Sequence, residues 1–285
     1  MPFTSDIILG GRFMGLFVGP NGTGKTIAAA SWPGPTLILD FDGRVAPVRY
    51  FYPNRKDIEY WTIGLDGDTR NDVMGFSDFC VKMEKLQEDC PYETIIFDSY
   101  TAYSATAVLY QMGMHAGDVK KTKGGLPIPD WDEYKGETGV MLQILEIAKI
   151  LPCNFIATAH PVSKAKTTKQ GGSVNEVLAS MVRGTTFATY GWKTDSFLPN
   201  YFNEIYYFWT NVSSQMGQKI DRKVQTVSAG EITAKRALPL PDVMDVTDKP
   251  LFGVIQAHLK EHNIKLMEKQ AAREAAKLVE VVKPA

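Results

Sequence analysis

Gly19-Pro20-Asn21-Gly22-Thr23-Gly24-Lys25-Thr26 places three glycines, a lysine and a hydroxyl within eight positions. Glycines let a backbone curl until successive N–H groups aim at one point. A phosphate chain suits such a loop, with Lys25 placed to neutralise its outer oxygens. The Thr26 hydroxyl is then set to ligate a Mg²⁺ riding on the same phosphates. The complete Gly-x-x-x-x-Gly-Lys-Thr spelling predicts a nucleoside-triphosphate site, with ATP as the default nucleotide and all eight residues lining it.

A Mg²⁺–nucleotide site also needs a carboxylate that closes a neighbouring strand. Asp98 ends the apolar run Ile95-Ile96-Phe97 and is the candidate second metal residue beside Thr26. Ser99 and Tyr100 follow it, so no second acid stands there to activate water. Another group must then orient or deprotonate the attacking water. Asp42 is the candidate base, with Asp40 in support, at the end of a run expected to lie beside the strand that enters the glycine loop. Asp42-Gly43 reads equally well as a turn. His160 ends another apolar run, where a side chain could sense the terminal phosphate and relay its state onward. A lone histidine is more often structural.

These residues need a scaffold that brings strand ends together. Short apolar runs at 13–18, 36–40, 94–98, 154–159 and 204–209 alternate with helical stretches, alanine-rich at 25–31, striped at 73–86 and strongly apolar at 140–150. That alternation predicts an α/β fold with a mainly parallel twisted sheet flanked by helices. After residue 209 the pattern alternates like antiparallel strands, clearest at Gln225-Thr226-Val227. The core is expected over 1–248, with a helical tail over 249–285. A solvated helix is the ordinary reading of the tail's charged end, and a protein partner for it is the alternative.

Composition excludes several classes. Of 285 residues, 44% are hydrophobic and 22% charged, with a formal net charge of -1. No global basic field advertises nucleic acid, so any such surface must be a local patch. Cys80, Cys90 and Cys153 form no metal-binding pair, and His258 and His262 have no companion ligands. No apolar run reaches membrane-spanning length, and a phosphate loop needs intracellular nucleotide. A cytoplasmic protein without a membrane partner is expected.

The set Gly19 to Thr26, Leu37 to Gly43, Ile95 to Ser99 and Thr158-Ala159-His160 resembles the RecA-like P-loop ATPases of bacteriophages, the single-strand-annealing recombinases that keep a RecA core. The likeness covers roughly residues 10 to 245. It implies a DNA-stimulated ATPase acting with single-stranded DNA in the host cytoplasm. It also implies a homo-oligomer, ring or filament, with ATP between subunits. On that pattern Asp42 takes the water-activating role, with a shorter side chain than the usual glutamate, and His160 is the sensor. Lys235 and Arg236 fall where basic residues complete a neighbour's site in trans, though here they are adjacent rather than spaced Lys-x-Arg. Two solvated charges is the other reading of that pair.

Two irregular basic segments lie where such a core holds DNA. One, at 113–130, contains Lys120, Lys121 and Lys123; the other, at 161–172, contains Lys164, Lys166 and Lys169, with no acid until Glu176. Such runs suit phosphate contact, and Tyr190 and Trp192 could add stacking surfaces. Two other readings stay open. One is a P-loop kinase acting on a small molecule, although the extra length here goes into lysine and glycine loops rather than an arginine-bearing lid. The other is a switch that binds ATP to assemble without DNA.

Overall fold

The structure, a computed structural model, describes residues 12–68, 70, 72–114, 121, 123, 128–163, 185–187, 198–212, 220–229 and 232–281. Strand β1 (Met14–Val18) leads through the glycine loop into the short helix α1 (Lys25–Ala29), and β2 (Thr36–Asp40) leads into α2 (Ala46–Phe51). β3 (Ile58–Gly64), β4 (Val73–Gly75), α3 (Phe76–Lys85), β5 (Thr94–Asp98), α4 (Tyr100–Met114), α5 (Trp131–Ile150) and β6 (Asn154–Ala159) follow. β7 (Pro161–Ser163) and β8 (Thr185–Phe187) pair antiparallel with each other. β9 (Glu204–Val212), β10 (Ile220–Gln225), β11 (Val243–Asp245) and helix α6 (Leu251–Val281) come last.

β1, β2 and β5 are buried at every position. Their unbroken apolar spelling is what strands covered on both faces require. Among the described residues they belong to a nine-stranded sheet ordered β11-β10-β9-β1-β6-β5-β2-β3-β4. From β9 to β4 the neighbours run parallel, while β10 and β11 add antiparallel pairs at one edge. The α/β class, the parallel sheet and the antiparallel extension all match the expectation. The neighbour of β1 does not. β1 lies between β9 and β6, and β2 lies beyond β5, so the acids after β2 reach the glycine loop from across two strands.

Helices cover both faces. On one, α3, α4 and α5 enclose an aromatic cluster in which Phe41, Phe76, Phe79, Phe97 and Tyr103 meet ring to ring. On the other, Phe17, Trp32, Tyr206, Phe208 and Val224 pack with Leu251, Ile255 and Leu259 of α6. Each such buried side chain contributes roughly 2 kcal/mol. The first turns of α6 are therefore pinned to the core, and the Phe252 N–H adds a 3.0 Å bond to Ser31 Oγ. Further along, Ile264, Leu266 and Met267 are exposed and gain no such term.

Three elements depart from expectation. Residues 73–75 are strand rather than helix, because they pair with β3 and the buried helical stripe starts only at Phe76. α4 runs through 100–114, a stretch assigned to no element, and ends just inside the segment read as irregular. It is apolar on all sides, so no amphipathic stripe marked it. α5 starts at Trp131 rather than 140, where Asp130 and Glu133 form a capping box. No described helix is long and apolar enough to cross a membrane.

Candidate nucleotide site

Register brings the candidate residues to one end of the sheet. Val18 lies beside Ala159 and Asp40 beside Asp98, so the loops after β1, β6, β5 and β2 emerge together. That edge, outside the carboxyl ends of parallel strands, is where such sheets bind ligands. The loop after β1 is anchored by the Gly19 N–H, which donates to Ala159 O at 3.3 Å. A Cβ on Gly19 would meet the Phe208 carbonyl oxygen at 2.4 Å, so only glycine passes there. Gly24 has φ +91°, a conformation that favours glycine, and it hands the chain into α1. Thr23 Oγ1 donates to Pro20 O at 2.9 Å and closes the turn.

Lys25 is buried and donates to Gly19 O at 2.8 Å and Pro20 O at 3.0 Å. Burial lowers its ammonium to about 8, with Asp98 and Asp42 opposing. Thr26 Oγ1 donates to Asp98 Oδ2 at 2.8 Å, and Thr158 Oγ1 donates to Asp98 Oδ1. Asp98 is almost wholly buried, and burial raises its carboxyl against those two hydroxyl bonds. Among the described residues no three His, Cys, Asp or Glu side chains converge as a metal cage. One hydroxyl, one carboxylate and phosphate oxygens are nonetheless a donor set of the hard, water-rich kind that Mg²⁺ takes.

Asp42 reaches the loop because the chain after β2 folds back over the strand ends. Its Oδ1 accepts from Ser99 Oγ at 3.3 Å, and its Oδ2 lies 3.6 Å from His160 Nε2. His160 Nδ1 lies 3.5 Å from the Lys25 ammonium. An ammonium only donates, so Nδ1 is the accepting nitrogen and Nε2 carries the proton toward Asp42. Burial works to raise the Asp42 carboxyl, but the His160 contact, Ser99 and Arg44 bring it below the ordinary carboxylate range. Asp40 does something else. It accepts the Arg44 N–H at 3.1 Å and the Val45 N–H at 3.3 Å, so it shapes the loop that carries Asp42.

A cavity of about 680 Å³ opens over this cluster, within the size range of small-ligand sites. Asn21 to Thr26, Asp42, Asp98 and His160 line it. So do residues that no local spelling marked: Pro47, Phe51 and Tyr52 from α2 and its end, Arg222 from β10, and 246–251 before and into α6. Tyr52 is braced by a 3.0 Å bond from its hydroxyl to Ile27 O. These walls are brought together from distant parts of the chain.

The other candidates lie elsewhere. Lys235 Nζ donates to Phe202 O at 2.9 Å, and Arg236 pairs with Asp242 at 2.9 Å, so both brace the chain's own extension away from the cavity. Lys121 and Lys123 are described and exposed. Lys120, Lys164, Lys166, Lys169, Tyr190 and Trp192 lie outside the described residues. A family model described as "AAA domain" matches residues 12–230, most of the chain. No curated protein matches it.

Proposed function

The chain belongs to the AAA domain family of nucleotide-binding P-loop ATPases, and from that premise we propose that it binds and hydrolyses ATP in concert with single-stranded DNA, as a homo-oligomer. The observation that carries this reading is the line Lys25–His160–Asp42–Ser99, which runs from the phosphate loop past the end of β6 to the end of β5. His160 stands directly before β7, after which Lys164, Lys166 and Lys169 follow in the sequence. A change at the terminal phosphate would reach that basic segment through one side chain. The resemblance to phage recombinases supports DNA as the partner.

Within the site, Gly19 to Thr26 would bind the phosphates, and Thr26 with Asp98 would hold Mg²⁺, which supplies charge neutralisation on the phosphate oxygens. Asp42, held ionised, would accept a hydrogen bond from the attacking water and take its proton as the water oxygen bonds to the terminal phosphorus and the bridging P–O bond breaks to release ADP. A carboxylate kept this acidic orients water first and abstracts late, which suits a loose phosphoryl transition state. His160 keeps Asp42 aimed by donating from Nε2.

Two outcomes are expected. Single-stranded DNA should raise ATP turnover, with a stimulation that fades as salt rises, because released counterions drive the contact. Replacing Lys164, Lys166 and Lys169 by alanine should shrink that stimulation and its salt slope; turnover indifferent to DNA would sink the DNA half of the reading. Nucleotide affinity should also fall as pH rises through about 8. Phosphate oxygens favour the charged Lys25, so its pKa is higher in the complex than in the free protein. Binding above that pH therefore takes up a proton, and affinity drops by up to about tenfold per pH unit. Calorimetric affinities flat between about pH 7 and about pH 9 would remove Lys25 from the contact.

A further inference from the structure

Arg222 enters the cavity from the strand least expected to serve it. Its side chain crosses the glycine loop: a Cβ on Gly24 would lie 3.4 Å from Arg222 Cδ and 3.6 Å from Nε. It lines the same cavity as Lys25 and Thr26. Among the described residues its guanidinium has no hydrogen-bonded or ion-paired acceptor, although the side chain is half-buried. Several other arginines are engaged. Arg55 pairs with Asp57, Arg236 with Asp242, and Arg12 donates to backbone carbonyls. On Arg222's own strand, Lys223 pairs with Asp245 across to β11.

The root of the side chain is held firmly. The Arg222 N–H donates to Thr247 Oγ1 at 2.9 Å, its carbonyl accepts the Val246 N–H at 3.0 Å, and its register partner on β9 is Thr210. A guanidinium fixed at its base, facing a cavity and without an acceptor among the described residues, is preset for an anionic ligand. Its planar fork matches phosphate oxygens two at a time.

We propose that Arg222 is a phosphate-binding residue of this site, supplied in cis by β10 across the glycine loop from Lys25. The proposal rests on the nucleotide reading above and adds to Lys25 a guanidinium rooted in the sheet. The ligand class is the polyphosphate of a nucleoside di- or triphosphate, recognised through its phosphates rather than its base.

The test is equilibrium binding of ATP, ADP and inorganic tripolyphosphate to the full chain and to the variants Arg222→Ala, Arg222→Gln, Arg222→Lys and Lys25→Ala. Losing a charge-assisted contact should weaken ATP by roughly 10- to 100-fold in Arg222→Ala, with tripolyphosphate falling in parallel. Arg222→Gln keeps length and polarity, so it should match that loss while melting with the wild type. Arg222→Lys should fall between, since a point charge replaces a fork. If Arg222→Ala and Arg222→Gln bind both ligands like the wild type while Lys25→Ala loses both, the proposal fails and the nucleotide site stands. Loss of ATP with tripolyphosphate unchanged would move Arg222 to the base and overturn it. A wild-type chain that binds neither ligand would overturn the nucleotide reading, and this proposal with it.

Discussion

Lys25→Ala is expected to lower nucleotide affinity by at least about 100-fold, the sum of two or more charge-assisted contacts with phosphate at roughly 1.5–3 kcal/mol each. The fold should not suffer with it. Burial already disfavours the Lys25 ammonium, lowering it to about 8, so the folded chain is holding a charge it would rather shed. Removing that charge relieves the penalty and gives up the bonds to Gly19 O and Pro20 O. Melting of the free variant should stay close to the wild type, while the upward shift that nucleotide confers disappears. Thermal melts with and without ATP check this directly. A variant that keeps the shift would refute the site.

Asp42→Asn is expected to leave binding nearly intact and to lower turnover by roughly 10²- to 10⁴-fold. The amide has the carboxylate's shape, and its oxygen can still accept the proton on His160 Nε2. What it lacks is the negative charge that draws and then takes a proton from water. Single-turnover hydrolysis beside equilibrium affinity separates the two effects. Normal turnover would take Asp42 out of the chemistry and leave it as a brace for His160. Substituting Asp40 is not an equivalent experiment, because its carboxylate holds the Arg44 and Val45 N–H groups and shapes the loop.

The glycine loop was legible in the sequence because eight consecutive residues carry both the conformation and the chemistry. Asp98 was nearly as legible, since an acid that closes a buried apolar strand has few ways to point. Asp42 could be named only as a candidate. Its spelling fits a turn equally well, and what sets its position is the fold-back that lays it against Ser99 and His160. The helix at 100–114 carried no stripe because its apolar residues are spread around it, and the strand at 73–75 was hidden by merging with the helix after it. The start of α5 had a readable signal in Asp130 and Glu133, placed beyond the apolar run that drew attention first.

Residue order alone thus determined a glycine loop with phosphate-binding spelling, the buried strands of a parallel sheet and an acid closing one of them, each written in a short local run. Tertiary structure decided the rest. It set β6 and β5 between the phosphate loop and β2, joined Lys25, His160 and Asp42 in one line, and carried Arg222 over Gly24 from β10, two strands from β1. The physical reason is range. Backbone conformation and burial follow from near neighbours, whereas the meeting of charges from β1, β2, β6 and β10 depends on strand order, which is settled by packing across the whole core.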